Sequence, residues 1–184
     1  MAVPHYCLID TAFGPIGLAW SERGLLRLQL PDSDEARTRQ RLTRYLEAAE
    51  SDPLDWLKPT IARLQLYFAG EKVDLSDAPL DLEDKPEFLR RLYQEMLKLG
   101  WGETVTYGGL AERVGMPLGA AQSVGQAMGK NPVPIIIPCH RVLASGNTMG
   151  GFSAPGGTQT KLKLLELEGV RLGVHDPAQM GFGF

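Results

Sequence analysis

Short apolar runs near the start of the chain, separated by turn residues, predict three β-strands. The predicted strands are residues 5–10, 16–20 and 25–30. Gly14-Pro15 lies in the first connection and Gly24 in the second, and both are strong turn signals. Connections this short favour an antiparallel meander, because parallel strands need a longer crossover.

Two stretches with apolar residues at helical spacing follow the strands. They cover residues 34–49 and 57–68, and Gly70 is typical of the position just after a helix end. Residues 72–85 contain few large side chains and several acidic ones, which favours a linker. We therefore predict a small α/β domain over residues 1–80, and we find no catalytic pattern within it.

Helical spacing dominates the second half of the chain. One predicted helix begins after Asp84, and Thr106 is the predicted N-cap of the next. The two short helices that follow are residues 107–114 and 119–130. They are joined by a turn that contains Gly115, which is a helix-turn-helix pattern.

A glycine-rich loop and one more helix complete this half. The loop covers residues 144–157, contains five glycines and has no core pattern. The last helix is predicted from Thr158 to Gly169. We predict a second, mainly helical domain over residues 85–172 and a C-terminal tail over residues 173–184.

The exposed face of the second short helix is rich in small residues. It includes Ser123, Gly125 and Gly129, and each glycine inside a helix costs about 1 kcal/mol relative to alanine. That cost is understandable where another backbone approaches the helix closely. A nucleic-acid groove and an adjacent protein segment both fit, and the pattern alone does not separate them.

Charge is distributed unevenly along the chain. Residues 1–84 carry 9 basic and 15 acidic side chains, whereas residues 85–172 carry 10 basic and 6 acidic ones, for a net charge of −3 over 184 residues. The basic second half gives mild support for a polyanionic partner. No membrane span or signal peptide is predicted. Two cysteines, Cys7 and Cys139, make no disulfide framework, so we expect a cytoplasmic protein.

One of those cysteines follows an aliphatic run that three prolines punctuate. The segment reads Asn131-Pro132-Val133-Pro134-Ile135-Ile136-Ile137-Pro138-Cys139-His140-Arg141-Val142. The three isoleucines predict a strand that is buried on both faces. Pro138 removes a backbone donor and fixes the direction of the chain into Cys139. A rigid scaffold of this kind suits a nucleophile better than a packing residue.

Cys139 needs an activating group to act as a nucleophile. At its unperturbed pKa of about 8.5 a cysteine is only a few per cent thiolate at neutral pH. His140 is adjacent, and it can reach the thiol if the backbone turns there, or through a water. A carboxylate would then orient the imidazole, and Glu166 and Glu168 are candidates, with Glu168 the better placed. A buried structural cysteine is the alternative interpretation.

The Pro138–Val142 segment and its flanks resemble the O6-alkylguanine-DNA alkyltransferases, the methylated-DNA–protein-cysteine methyltransferases. The resemblance covers about residues 85–170. The other matching segments are Gly102-Glu103-Thr104-Val105-Thr106-Tyr107, Val124-Gly125-Gln126-Ala127-Met128, Asn131-Pro132-Val133-Pro134, Lys161 and Leu167-Glu168-Gly169. The first half fits the family's N-terminal domain by size and order only. The implied fold is a ribonuclease H-like α/β domain, with a small antiparallel sheet and helices, followed by a winged-helix-like domain with a helix-turn-helix.

The resemblance implies direct-reversal DNA repair. The protein would bind double-stranded DNA in the minor groove and flip an O6-alkylguanine, and also an O4-alkylthymine, into a pocket. The alkyl group would pass irreversibly to Cys139, so each molecule would react once. No cofactor is implied, and a monomer is expected.

Residue roles also follow from the resemblance. His140 would be the base that acts through a water, Glu168 would polarise it, and Tyr107 would assist protonation of the departing guanine. Asn131 would tie the recognition helix to the active-site segment. Substrate or DNA contacts are implied for Gln122, Ser123, Gly125, Met128, Arg141, Val142, Ser153 and Lys161. Among these, the Val142 backbone would read the base edge and Arg141 would brace the local structure.

Gln122 departs from the family pattern. The family usually has an arginine at this position of the recognition helix, which enters the duplex where the flipped base was. Glutamine can fill that gap and hydrogen-bond an orphaned cytosine, but it brings no charge. We therefore expect weaker DNA binding with the chemistry retained.

Three alternatives stay open at this point. The first is a lesion-sensing, alkyltransferase-like binder, although such proteins lack the cysteine. The second is a cysteine hydrolase or acyl transferase, which needs an oxyanion hole that the sequence does not identify. The third is a helix-turn-helix regulator with a structural cysteine. His5 and Cys7 are two potential zinc ligands with no second pair, and alternation along a strand is the better account of their spacing.

Overall fold

A computed structural model describes residues 3–117 and 119–172 of the chain. Its first part contains a four-stranded sheet with the order β3-β2-β1-β4. The strands are β1 (His5–Ile9), β2 (Ile16–Trp20), β3 (Leu25–Gln29) and β4 (Ala49–Glu50). The first three strands form the predicted antiparallel meander, whereas β4 pairs parallel with β1. The parallel strand was not predicted.

The helices of this part are α1 (Glu35–Thr43) and α2 (Lys58–Phe68). The predicted helix over residues 34–49 is therefore too long. Asp34 caps the start of α1 with its side chain, and Arg27 from β3 donates hydrogen bonds to the last carbonyl oxygens. Tyr45, with a φ of 61°, then turns the chain into β4. α1 ends because of these tertiary contacts, and local helix propensity carries no information about them.

The core of the first part is centred on β2. All five residues of β2 are buried, because α1 covers one face of the sheet and α2 with its neighbours covers the other. A methyl group at Gly17 would come within 2.7 Å of the Leu42 side chain. Glycine at this position therefore lets α1 lie directly on the sheet.

The segment over residues 72–85 is not a free linker. The amide of Leu25 donates to Pro79 and its carbonyl accepts from the amide of Asp81, so the segment pairs with the start of β3. The Asp81 side chain is buried and binds Ser21 and Arg23. This pairing could not be predicted from the acidic composition of the segment, because the hydrogen-bond partners of the Asp81 side chain are distant in sequence.

Over residues 85–117 and 119–172, the structure has four α-helices and a short parallel strand pair. The helices are α3 (Glu87–Leu97), α4 (Tyr107–Arg113), α5 (Ala121–Met128) and α6 (Gly157–Leu167), and the strands are β5 (Val105–Thr106) and β6 (Val142–Leu143). Thr106 caps α4 by accepting a hydrogen bond from the amide of Gly109, as predicted. Gly156, not Thr158, occupies the cap position of α6. The predicted two-part fold with a helix-turn-helix at α4 and α5 is confirmed.

The predicted strand over Ile135–Ile137 is wrong. All three isoleucines are buried, but the chain forms a tight turn in which Ile135 has a φ of 75°. The Asn131 side chain closes the turn, since its amide donates to the carbonyl of Ile137 at 2.8 Å and its oxygen accepts from Val133 at 3.0 Å. An apolar run predicts burial but does not distinguish a buried strand from a buried turn.

Within the described ranges, no helix combines the length and the apolar character that crossing a membrane requires. The predicted tail over residues 173–184 lies outside the described residues, as does His175.

Candidate active site

Cys139 lines a cleft beside α5, the second helix of the helix-turn-helix. It begins a single 3₁₀ turn, Cys139–Arg141, so the backbone does turn at the cysteine. The cleft has a volume of about 870 Å³. Its lining includes Tyr107, Gln122, Gly125, Met128, Cys139, Phe152 and Ser153. The thiol is thus buried among protein atoms and still borders a space large enough for a small ring system.

Burial raises the pKa of the Cys139 thiol, and a hydrogen bond with Asn131 and the charge of Lys161 only partly oppose that rise. The thiol is therefore protonated at neutral pH in the resting protein. A nucleophilic reaction at this sulfur requires a base that removes the proton as the reaction proceeds.

His140, the residue after Cys139, forms a fully buried pair with Glu168. The Nε2 atom of His140 lies 2.7 Å from Oε1 of Glu168, and neither side chain is exposed to solvent. Nδ1 of His140 is buried and has no hydrogen-bond partner among residues 3–117 and 119–172. Because a carboxylate only accepts, Nε2 carries the hydrogen and Nδ1 presents a lone pair. The imidazole is therefore arranged to accept a proton at Nδ1.

Glu168 is held ionised by a dense set of donors. Arg141 donates from Nε to Oε2 at 2.8 Å and from Nη2 to Oε1 at 2.9 Å, and the amide of Gly102 donates to Oε2 at 3.0 Å. Burial alone would raise the pKa of Glu168, but hydrogen bonds and charges from His140 and Arg141 hold it well below its usual range. Burial lowers the pKa of His140 against the opposing influence of Glu168. The pair therefore consists of a carboxylate and a neutral imidazole.

Lys161 links α6 to the segment that follows Cys139. It is fully buried, and its ammonium group donates to the carbonyl of Val142 at 2.5 Å and to that of Gly151 at 3.4 Å. Burial lowers the pKa of Lys161 to about 8. The ammonium lies 5.7 Å from the centroid of the Tyr107 ring. Lys161 thus supplies a positive charge beneath the cleft while it holds the glycine-rich loop in place.

Tyr107 forms one wall of the cleft at the start of α4. Its hydroxyl donates a long hydrogen bond, 3.4 Å, to the carbonyl of Gly151. A methyl group at Gly150 would come within 2.6 Å of the Tyr107 ring, so glycine at that position is required by the packing of the loop. Burial raises the pKa of Tyr107, which keeps the hydroxyl protonated and able to donate.

The small residues on α5 are not explained by the protein's own packing. A methyl group at Gly125 would make only an ordinary contact, 3.7 Å from Tyr107, and one at Gly129 would meet backbone oxygens of α5 at 3.4 Å or more. Gln122 and Ser123 are exposed on the same helix. No neighbouring segment among the described residues crowds this face. Of the two interpretations left open by the sequence, the structure favours an external backbone such as a nucleic acid.

Apart from Ser123, the sequence-predicted residues fall into two groups. Six of them reach the cleft: Tyr107, Gln122, Gly125, Met128, Cys139 and Ser153. The others do not line the cleft, and each makes hydrogen bonds within the protein: His140, Glu168, Asn131, Arg141, Val142 and Lys161. The Arg141 and Lys161 side chains are engaged with Glu168, Leu99, Val142 and Gly151, so the implied direct DNA or substrate contact does not match their positions. Ser123 is exposed on α5 outside the lining.

Tyr67 is a site residue that the sequence did not reveal. It belongs to α2 in the first part of the chain, where no catalytic pattern was found, and its hydroxyl donates to Oε1 of Glu168 at 2.7 Å. Its position in the apolar stripe of α2 is typical of a core residue, so no local signal could have identified it.

Cys7 and His5 do not form a metal site with further ligands among the residues that the structure describes. Throughout residues 3–117 and 119–172, no group of three or more histidine, cysteine, aspartate or glutamate side chains is arranged around a common centre. Burial raises the pKa of Cys7 to about 11, which disfavours the thiolate that a metal ion would need.

Two family models match the chain. The one described as 6-O-methylguanine DNA methyltransferase, ribonuclease-like domain, matches residues 5–82. The one described as 6-O-methylguanine DNA methyltransferase, DNA binding domain, matches residues 87–170. The second match contains Cys139, His140, Glu168 and both helices of the helix-turn-helix.

Relatives and solved structures agree with these matches. The methylated-DNA–protein-cysteine methyltransferase of Sulfurisphaera tokodaii is 36% identical over 90% of this chain and 93% of its own. The Mycobacterium tuberculosis O6-methylguanine methyltransferase structure is similar with a TM-score of 0.71 and 34% identity, over 90% of this chain and 93% of that one. The Mycobacterium tuberculosis OGT structure in complex with DNA gives a TM-score of 0.72 and 34% identity, over 89% and 92%.

Proposed function

The chain belongs to the O6-alkylguanine-DNA alkyltransferase family, the methylated-DNA–protein-cysteine methyltransferases, and from that premise we propose that Cys139 accepts the alkyl group. The protein acts in DNA repair by alkyl transfer to a cysteine. The observation that carries the assignment to Cys139 is that it lines the cleft and directly precedes His140, whose ring is paired with Glu168.

The proposed substrate is double-stranded DNA that contains an O6-alkylguanine, with O4-alkylthymine as a second lesion. α5 enters the minor groove, where Gly125, Gly129 and Ser123 allow close approach of the sugar-phosphate backbone. The lesion is flipped into the cleft, whose volume of about 870 Å³ accommodates a purine. Flipping costs a few kcal/mol, and the cost is lower for a weakly paired damaged base, which contributes to selectivity.

In the proposed reaction the Cys139 sulfur attacks the alkyl carbon in line with the bond to O6. The thiol proton passes through a water to Nδ1 of His140, and the resulting imidazolium is stabilised by Glu168. A carbon–sulfur bond forms and the carbon–oxygen bond breaks, so the electron pair goes to the guanine. Tyr107 assists the protonation of that leaving group. The thioether is chemically stable, so each protein molecule reacts once.

The residues beneath the cleft keep this arrangement rigid. Asn131 closes the turn that leads from α5 to Cys139, and Lys161 holds the β6 segment and the glycine-rich loop at Val142 and Gly151. The loop carries Ser153 to the cleft, where it can contact the flipped base. We assign Arg141 to bracing Glu168, not to DNA.

A stoichiometry measurement tests the proposed function. With methylated duplex in excess, we expect methyl transfer to stop at one methyl group per protein molecule. A cysteine hydrolase or acyl transferase would instead turn over repeatedly on an activated ester. Repeated turnover, or DNA binding without any transfer, would favour one of the alternative interpretations.

The DNA-binding consequence of Gln122 gives a separate prediction. Gln122→Arg is expected to tighten DNA binding by about tenfold. The slope of the log binding constant against log salt concentration should steepen by the amount expected for about one additional phosphate contact. Gln122 is exposed on α5 and lines the cleft, so an added charge there meets the duplex. Fluorescence anisotropy over a salt series measures both quantities.

Gln159→Arg is the matched control, because Gln159 is exposed on α6 and lies outside the cleft. It adds the same charge, and we expect a smaller effect on affinity. Equal DNA affinities for Gln122→Arg and the unsubstituted protein would show that Gln122 does not lie at the DNA interface.

The proposed compartment is the one that holds the DNA. We assign the protein to the cytoplasm, in association with the nucleoid if the source is bacterial, and we expect it to act as a monomer.

A further inference from the structure

Tyr67 brings a hydroxyl group from the first part of the chain into the active site of the second. It lies in the last turn of α2, is fully buried, and is separated from Glu168 by 101 residues of sequence. We propose that Tyr67 is a positioning residue for alkyl transfer, whose hydroxyl fixes the His140–Glu168 pair so that Nδ1 of His140 stays the proton-accepting atom. The proposal rests on the proposed function and extends its machinery to the N-terminal domain.

The hydrogen-bond pattern around the hydroxyl sets the direction of the imidazole. The single hydrogen of the Tyr67 hydroxyl points to Oε1 of Glu168, at 2.7 Å. Its oxygen lies 3.2 Å from Nε2 of His140, so it presents a lone pair to that nitrogen. Nε2 therefore faces two acceptors, the Glu168 carboxylate and the Tyr67 oxygen. With Nε2–H fixed in this way, Nδ1 is the ring nitrogen that remains available to take the thiol proton.

Packing keeps the hydroxyl in place. The Tyr67 ring meets Trp101 edge-on at 5.4 Å and Phe68 edge-on at 5.3 Å, and its centroid lies 6.3 Å from that of the His140 ring. These contacts favour one ring orientation, and full burial removes water as a competing partner. The hydroxyl is thus directed at Glu168 by the aromatic contacts around it.

The charged surroundings explain why a neutral hydroxyl is needed there. Glu168, Arg141 and Lys161 are the charges that act on His140, from the end of α6, the 3₁₀ turn and the middle of α6. Oε1 of Glu168 accepts hydrogen bonds from Arg141, His140 and Tyr67. Without the Tyr67 hydroxyl, Nε2 of His140 loses one of its two hydrogen-bond acceptors. Oε1 of Glu168 then keeps only two donors, Arg141 and His140. The ring then samples orientations in which Nδ1 is misdirected.

Tyr67→Phe in the full chain tests the proposal through single-turnover kinetics on a duplex with O6-methylguanine. We expect the transfer rate constant at saturating DNA to fall about tenfold, as for loss of one hydrogen bond to a charged group. The amplitude should stay at one methyl group per protein and DNA affinity should not change, since Tyr67 does not line the cleft beside α5. If Tyr67 had a purely structural role, the substitution would reduce the fraction of protein that can react and so lower the amplitude of methyl transfer. The remaining folded protein would react with the normal rate constant.

Tyr6→Phe is the control. Tyr6 lies in β1, in the same part of the chain as Tyr67, and its hydroxyl donates to Glu50 at 3.3 Å on the protein surface instead of to the His140–Glu168 pair. We expect its transfer rate constant to stay within twofold of the unsubstituted protein. Equal rate constants for Tyr67→Phe and Tyr6→Phe would overturn the proposal.

A second measurement is independent of DNA and of the proposed function. Iodoacetamide modifies Cys139 at a rate that depends on removal of the thiol proton, and peptide mass spectrometry follows it site by site. Tyr67→Phe should slow modification of Cys139 severalfold at neutral pH and leave Cys7 unchanged. Cys7 is the internal control for loosening of the N-terminal domain. Unchanged reactivity of Cys139 would contradict the positioning role even if no methyl transfer occurred in any variant.

Discussion

Glu168→Gln is expected to lower the methyl-transfer rate by ~100-fold or more and the free energy of unfolding by about 3 to 5 kcal/mol. The donors on Glu168 come from Tyr67, His140, Arg141 and the amide of Gly102. A glutamine keeps the shape but turns one acceptor oxygen into a donor and leaves Arg141 with an uncompensated buried charge. Urea denaturation and single-turnover kinetics measure the two losses.

Glu166→Gln is the control for this substitution. Glu166 was the other carboxylate that the sequence offered, and the structure places it exposed on α6. We expect a stability change of less than about 0.5 kcal/mol and an unchanged transfer rate. Similar losses in both variants would show that Glu168 has no special role.

The stability difference should depend on pH in a defined direction. The pKa of Glu168 is depressed in the folded protein, so its contribution is complete above its unfolded value, about 4.3, and is lost as pH falls below it. Glu168 opposes the lowering of the His140 pKa, so the comparison is made in a His140→Gln background, where no imidazole titrates at that position. The gap in unfolding free energy between His140→Gln and the double variant His140→Gln/Glu168→Gln should be constant from neutral pH to about pH 5.5 and narrow below about pH 4. A gap that widened in acid would contradict the ionised, paired state of Glu168.

His140→Gln is expected to reduce the transfer rate constant by about 10²- to 10⁴-fold, the usual contribution of a positioned base. Glutamine can keep a donor toward Glu168, so the buried carboxylate stays hydrogen-bonded, but it has no basic nitrogen to replace Nδ1. The Cys139 thiol, whose pKa is raised by burial, would then ionise only at alkaline pH. Single-turnover rates across a pH series measure both effects.

The residual rate of His140→Gln should therefore rise steeply with pH, whereas its affinity for methylated duplex should match that of the unsubstituted protein. His5→Gln, which changes a histidine of β1, is the control and should transfer at the normal rate. A normal rate for His140→Gln at neutral pH would exclude His140 as the base.

The sequence was informative where function depends on neighbouring residues. The Pro138–Val142 segment predicted a nucleophile beside its base, and the preference for Glu168 over Glu166 followed from its place at a helix end. Apolar spacing predicted α4 and α5, because a helix-turn-helix is encoded by local capping and by one buried face. Each of these signals is local to its own stretch of chain, so it survives without knowledge of the tertiary fold.

The sequence was less informative where distant segments meet. The isoleucine run was correctly predicted to be buried but folds as a turn, which Asn131 closes with its own side chain. Asp81 and Tyr67 have ordinary sequence surroundings, and each acquires its role from partners more than 50 residues away. The resemblance implied a DNA or substrate contact for Lys161, but its side chain is buried beneath the cleft. The carbonyl groups of Val142 and Gly151 replace water as hydrogen-bond partners of its ammonium group.

Cys139 is the proposed alkyl acceptor. Peptide mass spectrometry after incubation with a duplex containing O6-methylguanine tests it most directly, with Cys139→Ser as the matched protein. We predict one added methyl group on the peptide that contains Cys139, none on the peptide that contains Cys7, and none in Cys139→Ser. An unmodified Cys139 peptide from folded, DNA-bound protein, or methyl transfer that persists in Cys139→Ser, would contradict the account.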